Sequence, residues 1–213
     1  MIPKKIFQTH EYKYEDLPEW FKQTSLSWQN LNPGWEYIYH DKEQRSEYVK
    51  NNMPEIYGLY RQVKKMHQAD IWRYLIVSIE GGVYADMDSF CTTPMDYILD
   101  GIDDNIDLVS TKTEEDSHTN NANFAAVKGS KILKKCCDDI AIAQFIGQRM
   151  PNQEVIHQCF SDNVKANPNI VSKTMQASHS ASYKRHFNLG IIEIDYYGKK
   201  MPYVDFLSSK NMI

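Results

Sequence analysis

Two carboxylates one residue apart, Asp86 and Asp88, follow the short apolar run Val83-Tyr84-Ala85. Alternate residues of an extended strand point to one side, so the pair is expected to face a single cleft. Open α/β sheets place their ligands at such strand ends. Paired carboxylates are hard oxygen ligands suited to Mg²⁺ or Mn²⁺, above all when phosphates complete the shell. Along an extended strand the two side chains stand ~6.5–7 Å apart, too far for one ion to take both easily. Asp88, further out, is therefore expected to be the direct ligand, with Asp86 standing behind it. Upstream, Asp70 and Arg73 are three residues apart and share a helix face; a plain surface ion pair is the alternative. Tyr84 falls on the same strand face as Asp86, where it lines a pocket or packs in the core. A D-x-D pair standing alone is a weak signal, and the flanking segments must decide its meaning.

Those segments have a readable order. Lys4 to Thr9 reads as a first strand. Asp16 with Pro18 opens a helix carrying Trp20, Phe21, Leu26 and Trp28. Asn32-Pro33-Gly34 is a turn, Trp35 to Tyr39 a second strand, and Asp41 a cap for a helix running to Asn52. From Lys64 to Glu80, Met66, Ala69, Trp72, Leu75, Ile76 and Ile79 recur at helical steps, and Gly81-Gly82 stops the helix. The acidic stretch from Asp100 to Asp116 reads as a solvated loop around a short strand, Leu108-Val109-Ser110. Phe124 to Val127 is a strand, Ser130 to Gly147 and Pro151 to Phe160 are helices, and Gly190 to Asp195 is a late strand. The alternation makes the class α/β, with a central, mostly parallel sheet flanked by helices.

Composition narrows the function. The chain of 213 residues is 42% hydrophobic and 24% charged, with a formal charge of −4. That is ordinary globular composition and argues against a surface built for nucleic acid. Cys91, Cys136, Cys137 and Cys159 contain no C-x-x-C pair and read as reduced thiols. The N-terminus has no signal-peptide core, and no apolar run spans a membrane, so a soluble cytoplasmic protein is expected.

The segment Gln68-Ala69-Asp70-Ile71-Trp72-Arg73-Tyr74, followed by Glu80-Gly81-Gly82-Val83-Tyr84-Ala85-Asp86-Met87-Asp88, resembles the signature of DXD-motif sugar transferases. These are of the glycosyltransferase family 32 type, which includes yeast-type mannosyltransferases, and are similar to the clostridial glucosylating toxins. The opening Ile2-Pro3-Lys4-Lys5-Ile6-Phe7-Gln8-Thr9-His10 and Asn32-Pro33-Gly34-Trp35-Glu36-Tyr37 are similar to the family's first and second strands. The size also suits virus-encoded transferases that build capsid glycans, as in chlorella viruses. The resemblance implies one GT-A domain over 1–213, whole or as the N-terminal part of a longer protein. It also implies transfer of a sugar from a nucleotide-diphosphate sugar, a UDP-sugar ahead of a GDP-sugar, to a glycan or glycoprotein acceptor. A divalent ion, Mn²⁺ or Mg²⁺, is implied at Asp88 and Asp86.

By the same resemblance Asp70 and Arg73 contact donor sugar and phosphate, and Asp86 reaches the ribose or sugar. Thr9, His10, Tyr84 and Asn123 complete the donor pocket, with Asn121 as a weaker neighbour. Here His10 stands for the usual tryptophan that stacks on the base. His179-Ser180-Ala181-Ser182-Tyr183 is similar to the family's C-terminal His and Ser-Trp segment, which puts His179 at the metal and Ser182 at the diphosphate. Arg73 is the candidate second cation for leaving-group charge, beside the metal. The alternatives are a non-catalytic carbohydrate- or partner-binding module using the aromatic residues, and a D-x-D phosphatase.

Overall fold

The computed structural model describes residues 1–91, 93–102, 104–113, 119–145, 153–167, 171–177, 193–196 and 199–202. Strands β1 (Lys5–Thr9), β2 (Glu36–His40), β3 (Gly82–Ala85), β4 (Leu108–Thr113), β5 (Thr119–Ala126) and β6 (Val171–Ala177) form one sheet in the order β2-β1-β3-β5-β4-β6. The pairs β1–β2, β1–β3 and β4–β6 are parallel, and β5 runs antiparallel to both β3 and β4. A separate antiparallel hairpin pairs β7 (Glu193–Tyr196) with β8 (Lys199–Pro202).

Side chains alternate between two apolar layers along each central strand, as the pleat requires. Phe7, Tyr84 and Phe124 join one layer with Val49 of helix α2 (Lys42–Asn52), Leu59 of the short α3 (Tyr57–Tyr60) and Trp72 and Ile76 of α4 (Lys65–Glu80). Ile6, Val83 and Ala125 face the other way, against Trp28 of α1 (Glu19–Leu31) and Met95 of the short α5 (Met95–Ile98). The first layer is extended by Ile132 and Cys136 of α6 (Lys131–Phe145) and by Phe160 of α7 (Gln153–Ala166). Helix α1 thus covers one face of the sheet and α4 the other. The chain leaves β1 toward β2 over one face and reaches β3 over the opposite face. That makes the carboxyl end of β1 and β3 the crevice where such sheets bind ligands.

Local signals explain most boundaries. Asp41 closes a capping box: its Oδ1 accepts from the amides of Glu43 and Gln44, while the Gln44 side chain accepts from the Asp41 amide. Gly81 ends α4 at φ +68°, and a Cβ there would lie 2.5 Å from the Lys128 nitrogen and 2.7 Å from the Pro3 ring. Asp16 does not cap α1. It closes a 3-10 turn, Tyr14–Asp16, and α1 starts at Glu19 behind Pro18 with no side-chain cap.

In the acidic stretch the expected strand is present, as part of β4, and Asp100 and Asp104 are exposed in the loop before it. Leu108, Val109 and Ser110 are buried in β4, and Asp107 caps α6, accepting from the amides of Lys131 and Ile132 and the Ser130 hydroxyl. All four cysteines are buried and reduced. No helix among the described residues is long and apolar enough to cross a membrane.

Candidate functional site

At the carboxyl end of β3 the chain does not continue extended. Asp86-Met87-Asp88-Ser89 closes a β-turn in which the Ser89 amide donates to the Asp86 carbonyl at 2.9 Å. The same-side geometry expected of two alternate strand residues therefore does not apply. The turn ties down Asp86 at its first position and presents Asp88 at its third. Asp88, expected further out, is the more enclosed of the two, at 6% exposed. Met87 is buried with Leu17 and Phe21, which seats the turn on the α1 side of the sheet.

Helix α4 runs antiparallel to β3, so its N-terminal half returns to the same edge and brings Asp70 and Arg73 there. Both are buried, which excludes the surface ion pair. Arg73 Nη2 lies 3.3 Å from Asp70 Oδ1 and 3.1 Å from Asp86 Oδ1, and Nη1 donates to the Asn121 carbonyl at 2.8 Å. The guanidinium carbon sits 4.4 Å above the Tyr84 ring. Burial alone would pull the Arg73 pKa down, but Asp86, Tyr84 and Asp70 outweigh it and raise it above the ordinary value. Arg73 stays charged and spends that charge on two carboxylates.

The neighbours complete a closed polar network. Tyr84 is 1% exposed, so it is a core residue rather than pocket lining. Its hydroxyl donates to Asp86 Oδ1 at 2.6 Å, and burial drives its phenol pKa well up, which keeps the proton on the donor. Asn121 Nδ2 donates to Asp70 Oδ1 at 2.9 Å and to the Tyr74 hydroxyl at 2.6 Å, while His67 Nδ1 approaches Asp70 Oδ2 at 3.2 Å. Asn121 is thus a bracket between α4 and β5. Asn123 is buried on β5 opposite Ala85, one position from Asp86.

At the end of β1 two expected donor contacts turn inward. The Thr9 hydroxyl donates to the His40 carbonyl at 2.6 Å and accepts from Arg45 Nη1 at 3.0 Å, an engagement set by the buried Arg45–Glu11 ion pair. The His10 ring packs against Phe21 and Tyr12, with centroids at 4.6 and 5.1 Å, and has no open face for a base. Its Nδ1 accepts from the Tyr12 amide, and burial, reinforced by Arg45, lowers its pKa to about 3. His10 is a neutral structural histidine. His179 and Ser182 lie outside the described residues.

Among the described residues no three His, Cys, Asp or Glu side chains come together as a metal-binding group. Mg²⁺-type ions are usually held by one or two carboxylates with phosphate and water completing the shell, a donor set that Asp86 and Asp88 fit. Sequence reasoning did not find Gln8 and Trp28, which contact the turn's backbone. Gln8 sits inside the first-strand segment, but nothing in the pattern of α1 distinguishes Trp28 from any core tryptophan.

The sheet order and the helices packed on both of its faces give the chain a GT-A fold. Residues 18–106 match the family described as a glycosyltransferase sugar-binding region containing a DXD motif. Over 100 residues the chain is 37% identical to mannosyl phosphorylinositol ceramide synthase SUR1 of Saccharomyces cerevisiae, covering 46% of this chain and 26% of the yeast protein. Over 93 residues it is 36% identical to an uncharacterized glycosyltransferase of Acanthamoeba polyphaga mimivirus, covering 43% of this chain and 37% of that one. The solved structure of the PaToxG glycosyltransferase superposes with a TM-score of 0.60 at 17% identity, covering 78% of this chain and 70% of that one, and shares the fold. The chain spans about a quarter of the yeast relative's length.

Proposed function

We propose that this domain transfers a hexose from a nucleotide-diphosphate sugar to a hydroxyl of a glycan or glycolipid, with a divalent ion held at Asp88. The observation that carries the reading is the commitment of Asp86 to Arg73 and Tyr84. The Oδ1 of Asp86 is taken up by the Arg73 guanidinium and the Tyr84 hydroxyl, and Asp88, presented at the third position of the turn, is the carboxylate assigned to the ion. Asp86 is then held rigidly for the ribose or sugar hydroxyls, and Asp70 is fixed by Arg73, Asn121 and His67. When bound, Mn²⁺ or Mg²⁺ would act as a Lewis acid for charge developing on the leaving diphosphate. Arg73 serves this site as a positioning residue, not as the second cation of the leaving group.

UDP is the proposed base, from the motif resemblance. The name of the yeast relative makes mannose the first sugar to assay and adds a lipid-linked inositol head group to the acceptors. The test is release of nucleotide from UDP- and GDP-sugars with Mn²⁺, for the wild type and Asp88→Ala. Release that requires Mn²⁺ and Asp88 supports the reading. Release of inorganic phosphate instead of nucleotide would make the protein a phosphatase. A clear preference for GDP would overturn the base assignment alone.

A further inference from the structure

The backbone of the D-x-D turn is gripped at both ends by side chains from outside it. Gln8 Nε2 donates to the Asp86 carbonyl at 3.1 Å, and Gln8 is itself oriented by the Tyr37 hydroxyl, which donates to its Oε1 at 2.8 Å. Tyr37 in turn accepts from the Ser25 hydroxyl of α1 at 2.8 Å. At the turn's last residue Trp28 Nε1 donates to the Ser89 carbonyl at 2.6 Å. The grip continues past the turn: the Cys91 amide donates to the Ser27 hydroxyl at 2.9 Å, and the Met95 amide to Asn32 Oδ1 at 2.6 Å. Gln8 and Trp28 are buried, so these bonds form away from competing water.

We infer that Trp28 and Gln8 are positioning residues that set how the turn presents Asp88, and so govern metal affinity without touching the metal. The inference rests on the metal reading proposed above. A β-turn has two central residues, and here one of them, Met87, is packed against Leu17 and Phe21. With the carbonyls of the first and last residues pinned, the direction of the Asp88 side chain is set by the face of α1 and the end of β1. Groups that orient a ligand typically change metal affinity by about 10–100-fold when removed.

The test uses Trp28→Phe, which keeps an aromatic ring in the core but deletes the donor, and Gln8→Met, which keeps the length but not the amide. Val49→Ala, a core truncation in α2, serves as the control for lost stability. Two readouts are taken: hydrogen exchange of the segment 86–91, and Mn²⁺ uptake in the presence of UDP, followed from the resonance signal of free Mn²⁺. Both variants should speed exchange in that segment and weaken Mn²⁺ uptake roughly tenfold, while Val49→Ala changes neither. Unchanged exchange would overturn the grip, whatever happens to the metal. Faster exchange with wild-type Mn²⁺ affinity would overturn the positioning role. Wild-type protein that takes up no Mn²⁺ with UDP would refute the metal reading instead, and the exchange comparison would then decide the grip on its own.

Discussion

Replacing Arg73 by methionine preserves much of the side chain's length and removes only its charge and donors. The guanidinium lies within 3.3 Å of one carboxylate and 3.1 Å of another, and only 8% of the side chain is exposed. Asp70 is 5% and Asp86 16% exposed, so neither carboxylate has much water to fall back on. Removing one partner of a buried ion pair typically costs about 3–5 kcal/mol, because it strands the other charge. For a chain of this size each kcal/mol moves Tm by about 2–4 °C, so Arg73→Met should lower Tm by roughly 6–20 °C. Urea unfolding of Arg73→Met, Asp86→Asn and the double variant separates charge from packing. In the double variant one stranded charge is gone, so it should lose less than the sum of the single losses, by about 1.5–3 kcal/mol. Strictly additive losses, or an Arg73→Met protein within 1 kcal/mol of wild type, would refute a buried network centred on this residue.

Three further outcomes follow from the same structure. His10 has a folded pKa of about 3 against 6.5 when unfolded, so between these values the unfolded chain binds the extra proton and stability falls as pH falls. From pH 7 to pH 5 that amounts to about 2 kcal/mol in urea unfolding, and His10→Asn should remove that part of the slope; an identical slope would refute the assignment. Gly81→Ala combines a left-handed φ with a Cβ 2.5 Å from the Lys128 nitrogen and should cost well over 1 kcal/mol by thermal unfolding; a neutral result would mean the α4–β3 junction relaxes freely. Asp107→Ala removes the acceptor of the Lys131 and Ile132 amides, leaving the Ser130 hydroxyl on Leu133, and should cost about 1–2 kcal/mol, with faster hydrogen exchange confined to the first turn of that helix.

The sequence made α4, its glycine stop and the Asp41 cap legible because each is a local signal acting on its own neighbours. It showed the strand Leu108-Val109-Ser110 within the acidic stretch but not that Asp107 is buried, because charge density reports only on the residues that carry it. β4 is buried by strands on both sides, and Asp107 is acidic because a helix beginning at Lys131 needs a cap. The proximity of Asp70, Arg73 and Asp86 was expected from family resemblance, but spacing gives the face of a helix and not its depth. Hence Arg73, Tyr84, Thr9 and His10 were expected toward a ligand and are turned into the protein. The D-x-D pair was misjudged for another reason: alternation holds only while the strand continues, and here a turn begins at its first aspartate. Gln8 and Trp28 act through backbone atoms 78 and 61 residues away in sequence, a relation that no one-dimensional pattern contains.

The central claim is that the turn at the end of β3 holds a nucleotide diphosphate through a divalent ion on Asp88. Isothermal titration of UDP into the protein, with Mn²⁺ and with EDTA, for wild type, Asp88→Ala and Asp86→Ala, tests it most directly. Binding should depend on Mn²⁺ in the wild type, show no metal dependence in Asp88→Ala, and be weaker but still metal-responsive in Asp86→Ala. Equal affinity with and without metal in the wild type, or metal dependence that survives Asp88→Ala and is lost in Asp86→Ala, would contradict it.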